Sequence, residues 1–419
     1  MSKKRFILFL IMMLFIPSFY IPIIVKATPI LELNSEAAIL IDADTKRVLY
    51  AKNEHTILYP ASMTKVMTML LALEKANLDD LLVMSDNAIN SVPYDSSNIA
   101  LFSGEQITLR QALYANSIAS ANEASNGLAE HISGSVDDFA ILMTNKAKEI
   151  GALNTNFTNA NGLHNENHYT TAYDMALIMS YAIKVENYID ITNLQYFEVD
   201  PTNIQSETRY LHGMNWTMNK ESSYYVEGAK TSKTVFTDQA QSTQVTYASR
   251  DGVNLISVVM KADSSLQRYA DTQTLLNYGF DSYEIFDVSN LSFNFPEFYI
   301  DESLKTDIPN EELIAIDNIF NNILIEKGTS DQIKITYDLP KIINNTHSEG
   351  SVIGIVNLYY RDELIDQRNI ITIKEIYQEI IITLPKHKKV LIFSMSAIAF
   401  SIIILWIIKL IYQYKIKLL

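Results

Sequence analysis

The sequence predicts an α+β domain, in which an antiparallel sheet is flanked by helices, followed by a small all-β domain and one C-terminal transmembrane helix. Three observations lead to this prediction. Strand-like runs stand at both ends of residues 28–282 with helical periodicity between them, residues 283–385 are rich in Ile, Asn and Asp, and residues 390–408 carry no charge. Strands on both sides of a set of helices can share one sheet, which is typical of an α+β layer.

The N-terminus is typical of an export signal. Three basic residues at 3–5 precede an uncharged run at 6–25, and the small residues Val25 and Ala27 stand at the positions that a signal peptidase reads. We therefore expect residues 1–27 to be a signal peptide that is removed. The uncharged run is longer than the usual apolar region of such signals, which leaves an uncleaved anchor as the alternative.

The elements of the first domain follow from their periodicity. The runs Ala37–Asp42 and Arg47–Ala51 flank the turn residues Asp44-Thr45-Lys46 and predict a β-hairpin. Apolar residues at three- and four-residue spacing predict helices at Ala61–Ala76, Leu109–Ile118, Asn122–Ile132, Val136–Ile150, Thr171–Lys184 and Ser265–Tyr278. Strand-like runs follow at Tyr225–Thr231, Gln244–Ser249 and Val253–Lys261. We expect the first strand of this domain, Ala37–Asp42, and the last, Val253–Lys261, to lie in one sheet.

The region after residue 282 differs from the first domain in composition and in its pattern of apolar residues. Alternating β-branched runs, such as Gln332–Tyr337, Ser351–Tyr360 and Asn369–Ile376, are separated by Asn, Asp and Gly. This pattern predicts a small β-rich domain at 283–385, which would act as a stalk.

The uncharged segment 390–408 predicts a membrane span. Its nineteen residues, at ~1.5 Å each, would cover about 28 Å, close to the ~30 Å hydrocarbon core of a bilayer. Lysines flank the segment equally on both sides, so the positive-inside rule alone does not orient it. The export signal does, because the body is exported before this helix stops transfer. We expect a single-pass protein of the cell membrane, with an extracellular body and a cytoplasmic tail at 409–419.

Composition excludes several classes of function. The chain has 33 basic and 48 acidic side chains, a net charge of −15, and the basic ones are concentrated at the two ends. An acidic body repels phosphate backbones, so nucleic acid is a poor partner. The absence of cysteine excludes disulfides, cysteine-bound metals and thiol nucleophiles.

The first candidate for chemistry is Ser62-Met63-Thr64-Lys65, at the start of an amphipathic helix. Positions i and i+3 share a helical face, so the Ser62 hydroxyl and the Lys65 amine can meet. A serine becomes nucleophilic when a base takes its proton, and a desolvated lysine of lowered pKa can be that base. Alone, the motif is weak, because serine is a common N-cap and lysine a common helix residue.

Two further motifs follow in order along the chain. Ser120-Ala121-Asn122 stands between two predicted helices, and Lys230-Thr231-Ser232 stands on a predicted strand. The set S-x-x-K, S-D-N and K-T-G is shared by class A β-lactamases and penicillin-binding proteins. With Asn161-Gly162-Leu163 and the run 169–176, the sequence resembles the serine-type D-Ala-D-Ala carboxypeptidases of peptidase family S11, from about residue 37 to 282. These low-molecular-mass penicillin-binding proteins trim peptidoglycan stem peptides.

This resemblance implies a penicillin-recognising, transpeptidase-like fold and a covalent mechanism without a metal or cofactor. Ser62 would attack the carbonyl of the penultimate D-alanine and form an acyl-enzyme, with Lys65 as its general base. Ser120 would relay a proton to the leaving amine, and Asn122 would hold the substrate's peptide group. β-Lactams would be covalent inhibitors of the same site.

The resemblance also implies how the substrate is held. Lys230 and Thr231 would bind the terminal carboxylate, an anion that needs a fixed cation and a hydroxyl donor. The oxyanion hole would use the backbone amides of Ser62 and Lys233. Ser232 stands where the family has glycine, and its side chain is expected to narrow the site and lower turnover.

Three other readings compete with this one. A β-lactamase would need a glutamate to activate the deacylating water, and the nearest run, from Glu149 to Leu153-Asn154, is one residue too long. A binding module that keeps the pocket without turnover is favoured by Ser232.

A metal-dependent peptidase would use His164, Glu166, His168 and Asp174. Their loop context instead favours solvent-exposed histidines, and an activity unchanged by chelator would exclude the metal.

Overall fold

The structure, a computed structural model, describes residues 31–378 and 402–409. These residues divide into two compact units. The first comprises 31–286 with 324–328, and the second comprises the described residues of 287–323 and of 329 onwards. The predicted signal peptide 1–27 lies outside the described residues, as does most of the predicted span 390–408 and of the tail 409–419.

The first unit is built on a five-stranded antiparallel sheet in the order β2-β1-β9-β8-β7. Its strands are β1 (Ala37–Asp42), β2 (Val48–Lys52), β7 (Ala229–Thr237), β8 (Gln241–Arg250) and β9 (Val253–Ala262). Because β1 pairs directly with β9, the expectation that the first and last strands share one sheet is confirmed. Short pairs are formed by β3 (Leu81–Val83) with β4 (Gln106–Thr108), β5 (Tyr196–Val199) with β6 (Arg209–His212), and β10 (Tyr283–Phe286) with β14 (Ile323–Glu326).

Eight α-helices are described in this unit. They are α1 (Lys65–Lys75), α2 (Asp86–Asn90), α3 (Leu109–Ile118), α4 (Asn122–Ser133), α5 (Val136–Ile150), α6 (Ala172–Ala182), α7 (Tyr188–Thr192) and α8 (Ser265–Ser282). The predicted helix from Ala61 begins instead with a 3₁₀ turn, Ala61–Thr64, before α1.

Both faces of the sheet are buried, because side chains alternate along each strand. On β1, Ile39 and Ile41 belong to the large apolar cluster formed with α1 and α3–α6. Leu40, between them, belongs to a second cluster with Leu275 and Leu276 of α8. The sheet therefore lies between one layer of several helices and one layer with α8, which agrees with the predicted α+β class.

The prediction of a strand at Tyr225–Thr231 was wrong in its position. Hydrogen-bonded turns continue through this segment, with Tyr225 N donating to Ser222 O at 3.1 Å. Gly228, at φ +89°, then packs so tightly that a Cβ atom would lie 2.5 Å from the carbonyl oxygen of Ser249. The strand therefore begins only at Ala229 and continues to Thr237, six residues beyond the predicted end.

Between residues 287 and 378 the second unit contains β-strands and short 3₁₀ turns, and residues 402–409 are helical. Its strands are β11 (Tyr299–Ile300), β12 (Leu304–Lys305), β13 (Ile314–Ile316), β15 (Ile333–Asp338), β16 (Ile342–Ile343), β17 (Val352–Tyr360), β18 (Glu363–Thr372) and β19 (Tyr377–Gln378). Four of them form one sheet in the order β13-β18-β17-β15. The domain boundaries drawn from the sequence, 28–282 and 283–385, stay predictions. Across the described ranges 31–378 and 402–409, no helix has both the length and the apolar character that crossing a bilayer requires.

Candidate active site

Ser62 lies in the 3₁₀ turn that leads into α1. The turn is entered through Ala61 at φ +44°, a left-handed conformation that is unusual for a residue with a Cβ atom. Met63 N donates to Pro60 O at 3.1 Å, and no side chain caps the turn. Ser62 is half-buried, whereas its neighbours in the turn are buried. The chain thus presents one hydroxyl at the start of a helix.

Lys65 is fully buried, and its amine has three oxygen neighbours. Nζ lies 3.1 Å from Ser62 Oγ, 2.7 Å from Asn122 Oδ1 and 2.5 Å from the carbonyl oxygen of Asn161. The oxygens of Asn122 and Asn161 can only accept hydrogen bonds. A neutral amine has two N–H groups and one lone pair, so those two acceptors take both N–H groups and the lone pair is directed at the Ser62 hydroxyl.

The environment of Lys65 favours this neutral form. Burial holds its pKa well below the usual range, the positive charge of Lys233 lowers the pKa further, and the Glu123 carboxylate opposes the shift. The predicted pair of Ser62 and Lys65 is therefore brought together with the electrostatics that a general base requires.

The second motif begins α4. Asn122 is the first residue of the helix, and besides accepting from Lys65 it donates through Nδ2 to Ser96 Oγ at 3.0 Å. Its backbone N–H donates to Ser97 O at 2.9 Å, so both ends of the residue are fixed. Ser120 precedes it at φ +56° and lines the same groove as Lys233.

The third motif differs from the prediction. Lys230 is exposed at an irregularity in the pairing of β7 with β8, and Thr231 is buried within the strand. The ammonium group that enters the site is that of Lys233, whose Nζ donates to the carbonyl oxygens of Asn116 at 3.2 Å and Ser117 at 3.3 Å. These carbonyls end α3, where a helix favours positive charge.

Burial lowers the pKa of Lys233 to about 7. Lys233 is followed by Thr234 and Val235, so this second K-T pair also reads as the motif, with Val235 in the place of glycine. Lys233 and Thr234 both line the groove with Ser120. The structure therefore brings Lys233-Thr234 to the site, three residues after the predicted Lys230-Thr231.

Ser232 also lines the groove, but its hydroxyl is bonded to side chains of β8. Its hydroxyl lies 2.8 Å from Thr246 Oγ1 and accepts from Gln244 Nε2 at 3.0 Å. Gln244 Nε2 also donates to Thr217 Oγ1 at 2.7 Å. Ser232 is thus held by a polar network with β8, and its hydroxyl is already partnered there.

Sequence reasoning missed one cation of the groove. Arg268, on α8, is buried and lines the groove with Lys233. Its Nη1 atom donates to the carbonyl oxygen of Val235 at 3.0 Å. Among described side chains, its Nε atom is one of the buried groups without a hydrogen-bond partner. No local motif marked it, because Lys233 and Arg268 are 35 positions apart in the sequence and only the tertiary fold brings them to the same groove.

The loop between α5 and α6 supplies one of the three oxygen neighbours of the Lys65 amine. Gly162 N donates to Asn159 Oδ1 at 2.7 Å, and Asn159 Nδ2 donates to Leu163 O at 2.9 Å. Asn161 Nδ2 donates to Asn126 Oδ1 at 3.0 Å. These bonds fix the Asn161 carbonyl oxygen that accepts from Lys65.

The residues of the rival readings are engaged elsewhere. Glu149 Oε1 accepts from Lys146 on the same helix at 3.1 Å. Asp174 accepts from Asn154 N and Thr155 Oγ1. The expectation of two exposed loop histidines was wrong for His168, which is 2% exposed. Over residues 31–378 and 402–409, no three His, Asp or Glu side chains are grouped so that they could hold a metal ion.

The fold and site define a class of protein. A half-buried serine beside a buried lysine at a helix start, completed by an S-x-N loop and a lysine on the edge strand of an antiparallel sheet, is the arrangement of penicillin-recognising serine enzymes. The model of the D-alanyl-D-alanine carboxypeptidase family, peptidase S11, matches residues 24–264, more than half of the chain. The chain belongs to this family, and the resemblance read from the sequence is confirmed.

Individual relatives agree with this membership. The carboxypeptidase DacF of Bacillus subtilis is 35% identical over 265 residues, which cover 62% of this chain and 65% of that protein. DacA of Haemophilus influenzae is 29% identical, over 78% of this chain and 81% of its own. The crystal structure of penicillin binding protein 5 from Haemophilus influenzae superimposes with a TM-score of 0.68 at 26% identity, covering 84% of this chain and 99% of that one. Carboxypeptidase function is therefore confirmed at the level of the family, and the β-lactamase and binding-module alternatives are not favoured.

Proposed function

We propose that this protein removes the terminal D-alanine from peptidoglycan stem peptides through an acyl-enzyme on Ser62. The observation that carries the proposal is the geometry of Lys65, whose two acceptor-only partners direct its lone pair at Ser62 Oγ. Lys65 takes the Ser62 proton as Oγ attacks the carbonyl carbon of the penultimate D-alanine. The bond to the terminal D-alanine nitrogen then breaks, and the proton passes through Ser120 to this leaving amine.

The terminal carboxylate of the substrate would bind at Lys233, Thr234 and Arg268. This assignment replaces the sequence-based one at Lys230 and Thr231, since Lys230 is exposed while Lys233 and Arg268 are buried beside the groove. Two cations and a hydroxyl suit a carboxylate that is desolvated on binding.

The negative oxygen of the tetrahedral intermediate would accept from two backbone amides. One is that of Ser62, at the start of α1, where the helix dipole favours negative charge. With the motif moved by three residues, the second amide becomes that of Phe236 instead of Lys233. Strand β7 lies beside the turn that carries Ser62, which is the placement this role requires.

Covalent labelling tests the nucleophile and product release tests the reaction. We expect a fluorescent penicillin to label the full chain and the Ser62→Ala variant to lose the label. Free D-alanine should be released from a pentapeptide ending in D-Ala-D-Ala, and Lys65→Ala should slow both processes ~10²–10⁴-fold. Label on Ser62→Ala would contradict the nucleophile, and label without D-alanine release would support a binding module.

We also propose that the protein is held at the outer face of the cell membrane. The uncharged segment 390–408 and the basic, apolar N-terminus support this location. Fractionation of cells expressing the full chain should recover it with membranes, and deletion of 390–419 should release it after export. A deleted form that stays with membranes would contradict the anchor.

A further inference from the structure

The third residue of the S-x-x-K motif has a buried partner outside the helix. Thr64 lies between Ser62 and Lys65, is fully buried, and its Oγ1 atom is 2.7 Å from Nε2 of His168. His168 is itself buried, with its ring edge-on to Phe157 at 5.5 Å. A polar pair enclosed in this way contributes fixed geometry, because neither group can exchange its partner for water.

The direction of this hydrogen bond follows from the other ring nitrogen. The backbone N–H of Thr158 donates to Nδ1 of His168 at 3.1 Å, so Nδ1 is an acceptor. In a neutral imidazole the proton is then on Nε2, which donates to Thr64 Oγ1. Burial lowers the pKa of His168 to about 3, with smaller contributions from His164 and Lys65, so the ring stays neutral at every pH at which the enzyme would work.

The turn that Thr64 belongs to needs such support. It is a single 3₁₀ turn without a side-chain cap, entered through the strained Ala61. The loop that carries His168 also supplies the Asn161 carbonyl to Lys65. The same loop therefore contacts Thr64 through His168 and Lys65 through the Asn161 carbonyl oxygen.

We propose that His168 is a positioning residue that acts through Thr64 to fix the distance between Ser62 Oγ and Lys65 Nζ. The inference rests on the proposed function and adds a residue to which no role has been assigned. If the pair is lost, the turn can relax, and a displacement of about 1 Å between nucleophile and base can cost ~10²-fold in rate.

The test compares two buried threonines, Thr64 in the 3₁₀ turn and Thr68 in α1. Thr64→Val removes the hydroxyl that faces His168, and Thr68→Val removes a buried hydroxyl one turn later that donates to Ala160 O at 2.6 Å. We expect both variants to unfold at a lower urea concentration than wild type, and by a similar shift of the midpoint, because each loses one buried hydrogen bond. Only Thr64→Val should lower the second-order rate of acylation by fluorescent penicillin, by roughly 10–100-fold, while Thr68→Val stays within about 2-fold of wild type.

The histidine side is tested by two amides. In His168→Gln the amide can occupy the place of Nε2 and donate to Thr64, so acylation should remain within about 3-fold of wild type. In His168→Asn the shorter amide reaches only the position of Nδ1 and cannot donate to Thr64. The rate of acylation should therefore fall as in Thr64→Val. The double variant Thr64→Val with His168→Asn should be no slower than either single one, because both remove the same interaction.

Each outcome separates the inference from the proposed function. Wild-type protein that takes no label would contradict the proposed function itself. Wild-type labelling with a Thr64→Val rate equal to that of Thr68→Val, or additive losses in the double variant, would overturn the role of His168 alone. If Thr64→Val does not fold, Thr64→Ser and the two His168 variants decide, since the serine keeps the hydroxyl and should label at nearly the wild-type rate.

Discussion

Gly162 packs against Ala61 so closely that a Cβ atom at Gly162 would overlap the Ala61 carbonyl oxygen and lie 3.0 Å from the backbone nitrogen of Ser62. Gly162 also has a φ of +84°, which disfavours any other residue. The glycine therefore serves the nucleophile directly: it lets the loop that binds Lys65 lie against the turn that presents Ser62.

We predict that Gly162→Ala abolishes acylation. The added methyl group must displace the Ala61 carbonyl and with it the Ser62 amide, on top of the ~1 kcal/mol cost of a side chain at positive φ. The matched control is Gly134→Ala, which has a φ of +80° but nothing within 4 Å of the added Cβ atom. Gly134→Ala should lose about 1 kcal/mol of unfolding free energy and keep its penicillin labelling. Equal labelling of the two variants would contradict the close-approach explanation.

We predict that the anion-binding lysine is Lys233. Lys233→Ala should lower kcat/KM for D-alanine release by at least ~100-fold, because the substrate carboxylate loses a buried, charge-assisted partner. Lys230→Ala changes an exposed residue and should stay within about 2-fold of wild type. The reverse pattern would restore the sequence-based assignment to Lys230-Thr231.

We predict a bell-shaped pH dependence of acylation. The rate should rise with pH as Lys65 loses its proton and becomes a base, and fall above about pH 7 as Lys233 loses the positive charge that binds the carboxylate. Lys233→Arg keeps its charge beyond pH 12, so its alkaline limb should disappear, whereas Lys230→Arg should leave the profile unchanged. An alkaline limb that persists in Lys233→Arg would contradict the assignment.

The lowered pKa of Lys233 also makes a prediction for stability. The folded protein releases this proton near pH 7 and the unfolded chain only near 10.5, so the unfolded state holds more protons between these values. Stability should therefore rise from pH 7 towards 10.5 through this residue. Urea unfolding of wild type and Lys233→Met at several pH values should show a difference that shrinks across this window, and a difference that is constant with pH would be inconsistent with a buried lysine.

We predict that Val235→Gly raises turnover several-fold, toward ~10-fold, by removing a side chain from the position at which the family has glycine. Ser232→Gly, which the sequence alone singled out, should instead lower stability by about 1 kcal/mol without raising turnover, because its hydroxyl is bonded to Thr246 and Gln244. D-alanine release by both variants, with urea unfolding alongside, distinguishes the two positions. If Ser232→Gly instead turns over faster than wild type, residue 232 is the position that corresponds to the glycine of the K-T-G motif.

Local patterns were sufficient for the nucleophile and its base. The spacing of Ser62 and Lys65 depends only on helical geometry, and the position of Asn122 follows from the start of the next helix. The prediction that β1 and β9 share one sheet followed from the α+β pattern, since both strands are apolar and flank the helices.

The third motif could not be placed by the same reasoning, because the pair Lys-Thr occurs twice within five residues, at 230–231 and 233–234. One signal was available: in comparison with the family, the segment between Lys230-Thr231 and Arg250 is a few residues too long, and taking the second pair shortens it by three residues. What decides between the pairs is the turn at Gly228 and the irregular pairing after Ala229, which set the alternation of β7. These are tertiary effects, and a one-residue slip in a strand exchanges its two faces.

The burial of His168 was likewise invisible to composition. A loop histidine among Asn and Glu residues is expected to be solvent-exposed, yet packing of the loop against the 3₁₀ turn that contains Thr64 buries it.

The burial of the positive charge of Lys233 has a consequence for thermal stability, because a desolvated charge destabilises the native state. A carboxylate-bearing ligand would offset this cost in the native state only, and a ligand that binds only the native state raises the melting temperature. The protein with such a ligand bound is therefore expected to melt at a higher temperature than the free protein.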